Sequence, residues 1–181
     1  MQFHILLRFF TAAFLCVLFL TPGTVRADIL SVPASANVET LRKMLDQPDD
    51  QIDLAQAKLI FDFMVYPKEP IDATMARIDT MANIVRGMLP ANASNIEKIA
   101  ALRKFIYVSV SWNADKPFHY DFDDPEGKRL EGAVISNYIA TKKGQCVSMP
   151  LLFIFLAERL KLPVALARAP NHTFVMFKND D

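Results

Sequence analysis

Cys146 and His172 are the pair of residues in this sequence whose types and order can do covalent chemistry. A thiolate attacks a carbonyl carbon, and an imidazole can take the thiol proton and later hand it to a leaving group. Pro150 lies four residues beyond Cys146. A proline is tolerated in a helix within the first turn, where its missing N–H would have had no intrahelical partner. The spacing therefore predicts a helix that begins near Cys146, with the sulfur among unpaired amides at the positive end of the helix dipole. A negative charge there gains roughly 0.3–1 kcal/mol when exposed and more when partly buried, which favours the thiolate. Gly144, just before it, permits close approach of another backbone or of a substrate.

His172 follows Ala169-Pro170 at the start of a strand-like run, where a hairpin folding back over the helix would bring imidazole toward sulfur. By the period of two, His172, Phe174 and Met176 share one face, and Thr173, Val175 and Phe177 share the other. The expectation is that the imidazole points, with its apolar neighbours, toward the layer covering the helix. Spacing alone leaves a plainer reading open, because a lone cysteine in apolar surroundings is more often a small core residue than a catalyst. His119 sits in a charged stretch beside Tyr120 and reads as solvated, with no metal-ligand spacing around it. Met75, Met81 and Met88 read as core packing. No metal or cofactor site is expected. Asn92-Ala93-Ser94 and Asn171-His172-Thr173 match the glycosylation acceptor pattern, which is weak evidence, and use of the second would block the proposed site.

The elements that would position this pair begin with an export signal. Arg8 precedes an apolar run from Phe9 to Leu20, Thr21-Pro22-Gly23 breaks it, and Val25-Arg26-Ala27 offers a cleavage site after Ala27. The run is too short for a bilayer span, which needs about 20 residues, so no stable membrane association is expected after residues 1–27 are removed. Removal takes Arg8, Arg26, Cys16 and His4 with it, leaving 18 basic against 20 acidic residues, one cysteine and two histidines. Near-neutral charge gives no basic face for a phosphate backbone, so nucleic acid is excluded as a partner. A single thiol in an oxidising compartment, periplasmic or secreted, is either buried and inert or kept for chemistry.

Residues 28–52 read as a flexible lead around Ser31 to Ala36 and a short helix capped by Asn37 and running to about Leu45. A second helix is expected from about Asp53 to Val65, stopped by Tyr66-Pro67. Ile71, Met75, Ile78, Ala82, Val85 and Leu89 recur at intervals of three and four, the stripe of an amphipathic helix that Pro90 closes. Ser94-x-x-Glu97 is a capping box opening a fourth helix that runs to about Val110. From Trp112 to Gly132 periodicity is lost and Asp121, Asp123, Asp124, Glu126, Lys128 and Arg129 accumulate, which reads as a long surface loop. A short helix over about Val134 to Thr141 leads to Lys142-Lys143-Gly144. The run Val147 to Leu160 is apolar on nearly every face, as in a helix enclosed by protein. Leu162 to Ala167 and Thr173 to Phe177 read as two short strands.

Lys142-Lys143-Gly144-Gln145-Cys146-Val147-Ser148-Met149-Pro150, then Leu156-Ala157-Glu158-Arg159-Leu160, then Pro170-Asn171-His172-Thr173-Phe174-Val175 resemble the transglutaminase-like domain of the bacterial SirB-type family. The resemblance covers 53–181 and implies an α+β fold: a helical N-terminal half, then a papain- and transglutaminase-like core whose central helix starts at the cysteine and packs on a small antiparallel sheet. It implies Cys146 as nucleophile and His172 as base. Trp112 is a candidate border of the oxyanion site by spacing, Gln145 a candidate support, and the Cys146 amide the better oxyanion donor. A third, acidic member on the next strand is also implied, yet Asn179-Asp180-Asp181 stand where the turn into that strand would begin, so a C-terminal truncation is expected. The function expected is exported thiol acyl transfer on a peptide or protein amide. The alternative is a non-catalytic module that keeps the fold and binds a protein partner.

Overall fold

The computed structural model describes residues 34–113 and 115–177, so the expected export signal over 1–27 lies outside the described residues. The chain divides into two units, Met1–Asp53 and Leu54–Asp181. In the first, helix α1 (Ala34–Leu45) starts ahead of Asn37, so that residue lies within the helix and is not its cap. A 3-10 turn, Asp49–Gln51, follows Pro48.

The second unit mixes helices with two small sheets, an α+β fold. Helices α2 (Leu54–Val65), α3 (Ile71–Gly87) and α4 (Asn95–Tyr107) come first; α5 (Ile135–Thr141) and α6 (Ser148–Arg159) follow a long connection. The stripe on α3 buries Ile78, Ala82 and Val85, with Met75, Met81 and Met88 packed partly buried against the core. The capping box forms at the start of α4, where the Glu97 amide donates to the Ser94 hydroxyl at 3.3 Å and the Ser94 amide to the Glu97 carboxylate at 2.8 Å.

Helix α6 is apolar all round because it is enclosed: α2, α3, α4 and α5 touch it on some sides and a hairpin on another. Leu152, Phe155 and Leu156 are completely buried, each such side chain contributing about 1.5–3 kcal/mol relative to exposure. The helix ends in a Schellman motif, with Leu162 N–H donating to Ala157 C=O and Lys161 N–H to Glu158 C=O, both at 2.9 Å, and Lys161 left-handed at φ 55°. Leu162 is therefore spent on closing the helix, which is why the strand expected from Leu162 starts two residues later.

That strand, β3 (Val164–Ala169), pairs antiparallel with β4 (His172–Phe177), in a register that sets Leu166 opposite Val175 and Ala169 opposite His172. Pro170 and Asn171 (φ 58°) make the turn, the residue types of a type II turn. The orientation of β4 differs from the sequence expectation. Val164, Leu166 and Val175 pack on the core, whereas Phe174 and Met176 are 42% and 48% exposed and His172 is exposed with them. The partner strand decides this: Val164 and Leu166 alternate with Ala165, Ala167 and Ala169, so burying the larger side chains turns the alanine face, and His172 with it, away from α6.

The 112–132 stretch is largely exposed, as expected of a surface loop, but it carries short elements and buried polar anchors of its own. Ser111–Asn113 form a 3-10 turn and β1 (His119–Tyr120) pairs in parallel with β2 (Lys143–Gly144). Asn113, Asp121 and Asp124 are buried. Asp124 accepts from the amides of Lys128 (3.0 Å) and Arg129 (2.9 Å), with the Arg129 amide foremost in holding its carboxyl below the usual range. Arg129 reaches Asp121 at 2.7 Å, and Lys143 reaches Asp123 at 2.6 Å. Polar residues fold this segment by satisfying its backbone, a signal that composition reads as solvation.

A buried ion pair joins α2 to the start of α5. Asp62 bonds Lys58 one turn earlier and accepts from Ile135 N–H at 2.9 Å; Lys58 donates to Ala133 C=O at 3.1 Å. Burial pushes the Asp62 carboxyl up and the Lys58 ammonium down, against the attraction between them. Among the described residues no helix is long and apolar enough to cross a membrane.

Candidate functional site

The turn that leads into α6 is built from Gln145. Its carbonyl accepts from Met149 N–H at 3.0 Å, and its own N–H donates to the Ser148 hydroxyl at 2.9 Å, which in turn donates to Gly132 C=O at 2.7 Å. Ser148 thus plays the part that the glutamate plays in a capping box, reaching back to the amide that opens the helix. Cys146 stands half-buried in that turn, two residues ahead of Ser148, so the helix opens slightly later than the expected start at the cysteine. Its amide donates no hydrogen bond among the described residues.

Pro150 has a second consequence. The N–H of residue 150 would have bonded the Cys146 carbonyl, and proline has none. The Thr173 hydroxyl on β4 donates to that carbonyl instead. The inward parity of Thr173 thereby ties the hairpin to the cysteine turn one residue away from His172, a role the sequence reading did not assign. The missing donor opposite Pro150 was the signal for it.

Gly144 is needed for close approach, though by a side chain of the protein itself. A Cβ built there would stand 2.5 Å from the Tyr138 ring and 2.9 Å from the Ser148 hydroxyl. Tyr138, wholly buried and edge-on to Phe118 with centroids 5.1 Å apart, fixes α5 against the approach to the cysteine.

Cys146 and His172 line one pocket of about 410 Å³. Ile99, Arg103 and Tyr107, spaced by four, form its α4 wall; Met149, Pro150 and Phe153 continue the α6 wall from Cys146. Residues 172–175 line it consecutively, as the free edge of a strand does, so His172 reaches the pocket from the edge although its face of the hairpin turns outward. The imidazole stacks on Phe174, centroids 6.4 Å apart and planes 18° apart, and among the described residues it bonds neither Cys146 nor a carboxylate. The implied third acid would belong to residues beyond 177, outside those described.

Trp112 is placed elsewhere, in the 3-10 turn after α4, with the Lys104 ammonium 5.4 Å from its ring centroid, and it does not line the pocket. The Gln145 side chain turns into the 121–132 connection, donating to Asp124 C=O at 2.6 Å and filling the space over Gly132, while its N–H is taken by Ser148. His119 is exposed, its Nδ1 3.0 Å from the Tyr120 carbonyl. Among the described residues no group of three or more His, Cys, Asp or Glu is placed to hold a metal ion.

The arrangement presents a thiol in the turn that leads into a helix, with an unengaged amide, and an imidazole on the same apolar pocket, residue types that acyl transfer through a thioester can use. No curated protein and no solved structure matches the chain. The family model described as the transglutaminase-like superfamily matches residues 72–181, more than half the sequence. On that match the chain belongs to the transglutaminase-like superfamily.

Proposed function

We propose that the chain is an exported thiol acyl-transfer domain, of the SirB-type branch of its superfamily, that attacks an amide through Cys146 with His172 as general base. The observation that carries the reading is the shared pocket: Cys146 and His172, from different elements, open on the same apolar cavity. In the reaction the sulfur bonds to the amide carbon as His172 takes the thiol proton. The carbon–nitrogen bond then breaks while the imidazole returns the proton to the departing amine. Water or a second amine resolves the thioester, giving peptide or amide hydrolysis or transamidation. In this reading the Cys146 amide donates to the oxyanion, which its lack of an acceptor among the described residues supports.

A second reading, a non-catalytic module that binds a protein partner, draws support from the placement of His172, whose ring stacks on Phe174 on the exposed face of the hairpin. Acylation separates the two. On mixing with excess p-nitrophenyl acetate, the proposal expects stoichiometric release of p-nitrophenolate, one acetyl group added to the intact mass, and loss of both in Cys146→Ser. Nitrophenolate release no faster than in Cys146→Ser would refute catalysis and leave the binding module.

A further inference from the structure

The pocket walls are aliphatic and aromatic apart from a few groups, and the charges among those groups are of one sign. Arg103 lines the pocket from α4, and no Asp or Glu lines it. Among the described residues Arg103 has no ion-pair partner, although other arginines of the unit, Arg77 and Arg129, are paired with carboxylates at 2.8 Å and 2.7 Å. Ile99 and Tyr107, one turn to either side, lie on the same stripe, so the guanidinium emerges from apolar flanks and beside an aromatic ring. Its charge acts on Tyr107, whose hydroxyl burial pushes up and Arg103 draws back down.

An unpaired guanidinium on an apolar cavity is the setting in which a ligand carboxylate gains most, because it accepts two parallel hydrogen bonds and meets no competing protein acid. Resting on the proposed reaction at Cys146, we propose that the pocket selects an amide ligand with an apolar body and a free carboxylate, the carboxylate held by Arg103. The apolar body lies along Met149, Phe153 and Val164, and neutral or cationic analogues are disfavoured.

The test measures protection of Cys146 from alkylation, which requires no turnover. The intact protein is treated with iodoacetamide in the presence of 3-phenylpropanoate or of 3-phenylpropanamide, which differ in the charge of one end. The acid should protect at about tenfold lower concentration than the amide. Arg103→Gln should erase that preference, and Arg103→Lys should keep part of it. Circular dichroism verifies that both variants are folded; Arg103 is exposed, so neither should disturb the core. Equal protection by acid and amide, no protection by either, or a preference unchanged in Arg103→Gln would each overturn the assignment. Acid-selective protection with no acylation in the nitrophenyl assay would sustain the anion pocket while refuting catalysis, so the two failures are distinguishable.

Discussion

Replacing Thr173 with valine tests the idea that Pro150 creates a vacancy which the hairpin fills. Valine keeps the shape of threonine and removes the hydroxyl, so the Cys146 carbonyl, already deprived of a helical donor by Pro150, loses its remaining partner. A lost hydrogen bond of this kind costs about 1 kcal/mol, and a partly buried carbonyl left without a donor raises that toward about 2 kcal/mol. With a urea m-value of about 2 kcal/mol/M, the midpoint of unfolding should fall by roughly 0.5–1 M. Thr173→Ser keeps the donor and should lose less than Thr173→Val. The decisive comparison adds Pro150→Ala, which restores an N–H at the position that bonds residue 146 in a regular helix. In that background Thr173→Val should cost less than in the wild type, a coupling of about 0.5–1 kcal/mol in the double-mutant cycle. Additive costs, or a Thr173→Val protein as stable as wild type, would refute the reasoning.

Three other perturbations follow from the packing. Asp62→Ala leaves the Lys58 ammonium buried and uncompensated and the Ile135 amide without its acceptor, so unfolding free energy should fall by about 3–5 kcal/mol, whereas Lys58→Met with Asp62→Leu should recover most of it; urea titration of the three proteins checks this. Gly144→Ala drives a methyl group into the Tyr138 ring, and a loss of about 1–3 kcal/mol in thermal unfolding is expected. The Ser94 amide and hydroxyl hold the Glu97 carboxyl below its ordinary 4.5. A depressed folded value contributes stability above the unfolded value and loses it as pH falls through the folded one. The advantage of wild type over Glu97→Gln, read by urea unfolding, should therefore be present at pH 6 and disappear on acidification below 4.5.

Helices were legible where one signal dominated. The α3 stripe, the capping box at Ser94 and the unbroken apolar run of α6 each have a single structural solution, and the structure adopts it. Pro150 located the helix start to within two residues, because its missing N–H admits few positions: α6 begins at Ser148, and Cys146 stands in the turn just before it. The face of β4 was misjudged from that strand alone. Its two faces are both apolar apart from His172 and Thr173, and the parity is set by the alanines of β3, a signal that exists only when the strands are read as a pair. The 112–132 segment is a surface loop as its composition indicates, but its internal order was not legible, since Asp121, Asp124 and Asn113 act on backbone groups that composition does not reveal. Arg103 and the Lys58–Asp62 pair escaped notice because their significance is positional: each becomes visible once the neighbours that leave it unpaired or enclose it are known.

The central claim is that His172 activates Cys146 across the shared pocket, and the dependence of Cys146 alkylation on His172 measures it most directly. The account predicts that iodoacetamide modifies Cys146 at least about tenfold more slowly in His172→Ala than in wild type at pH 7, with circular dichroism unchanged. Equal rates in the two proteins would contradict it and leave Cys146 as a half-buried thiol that the imidazole does not serve.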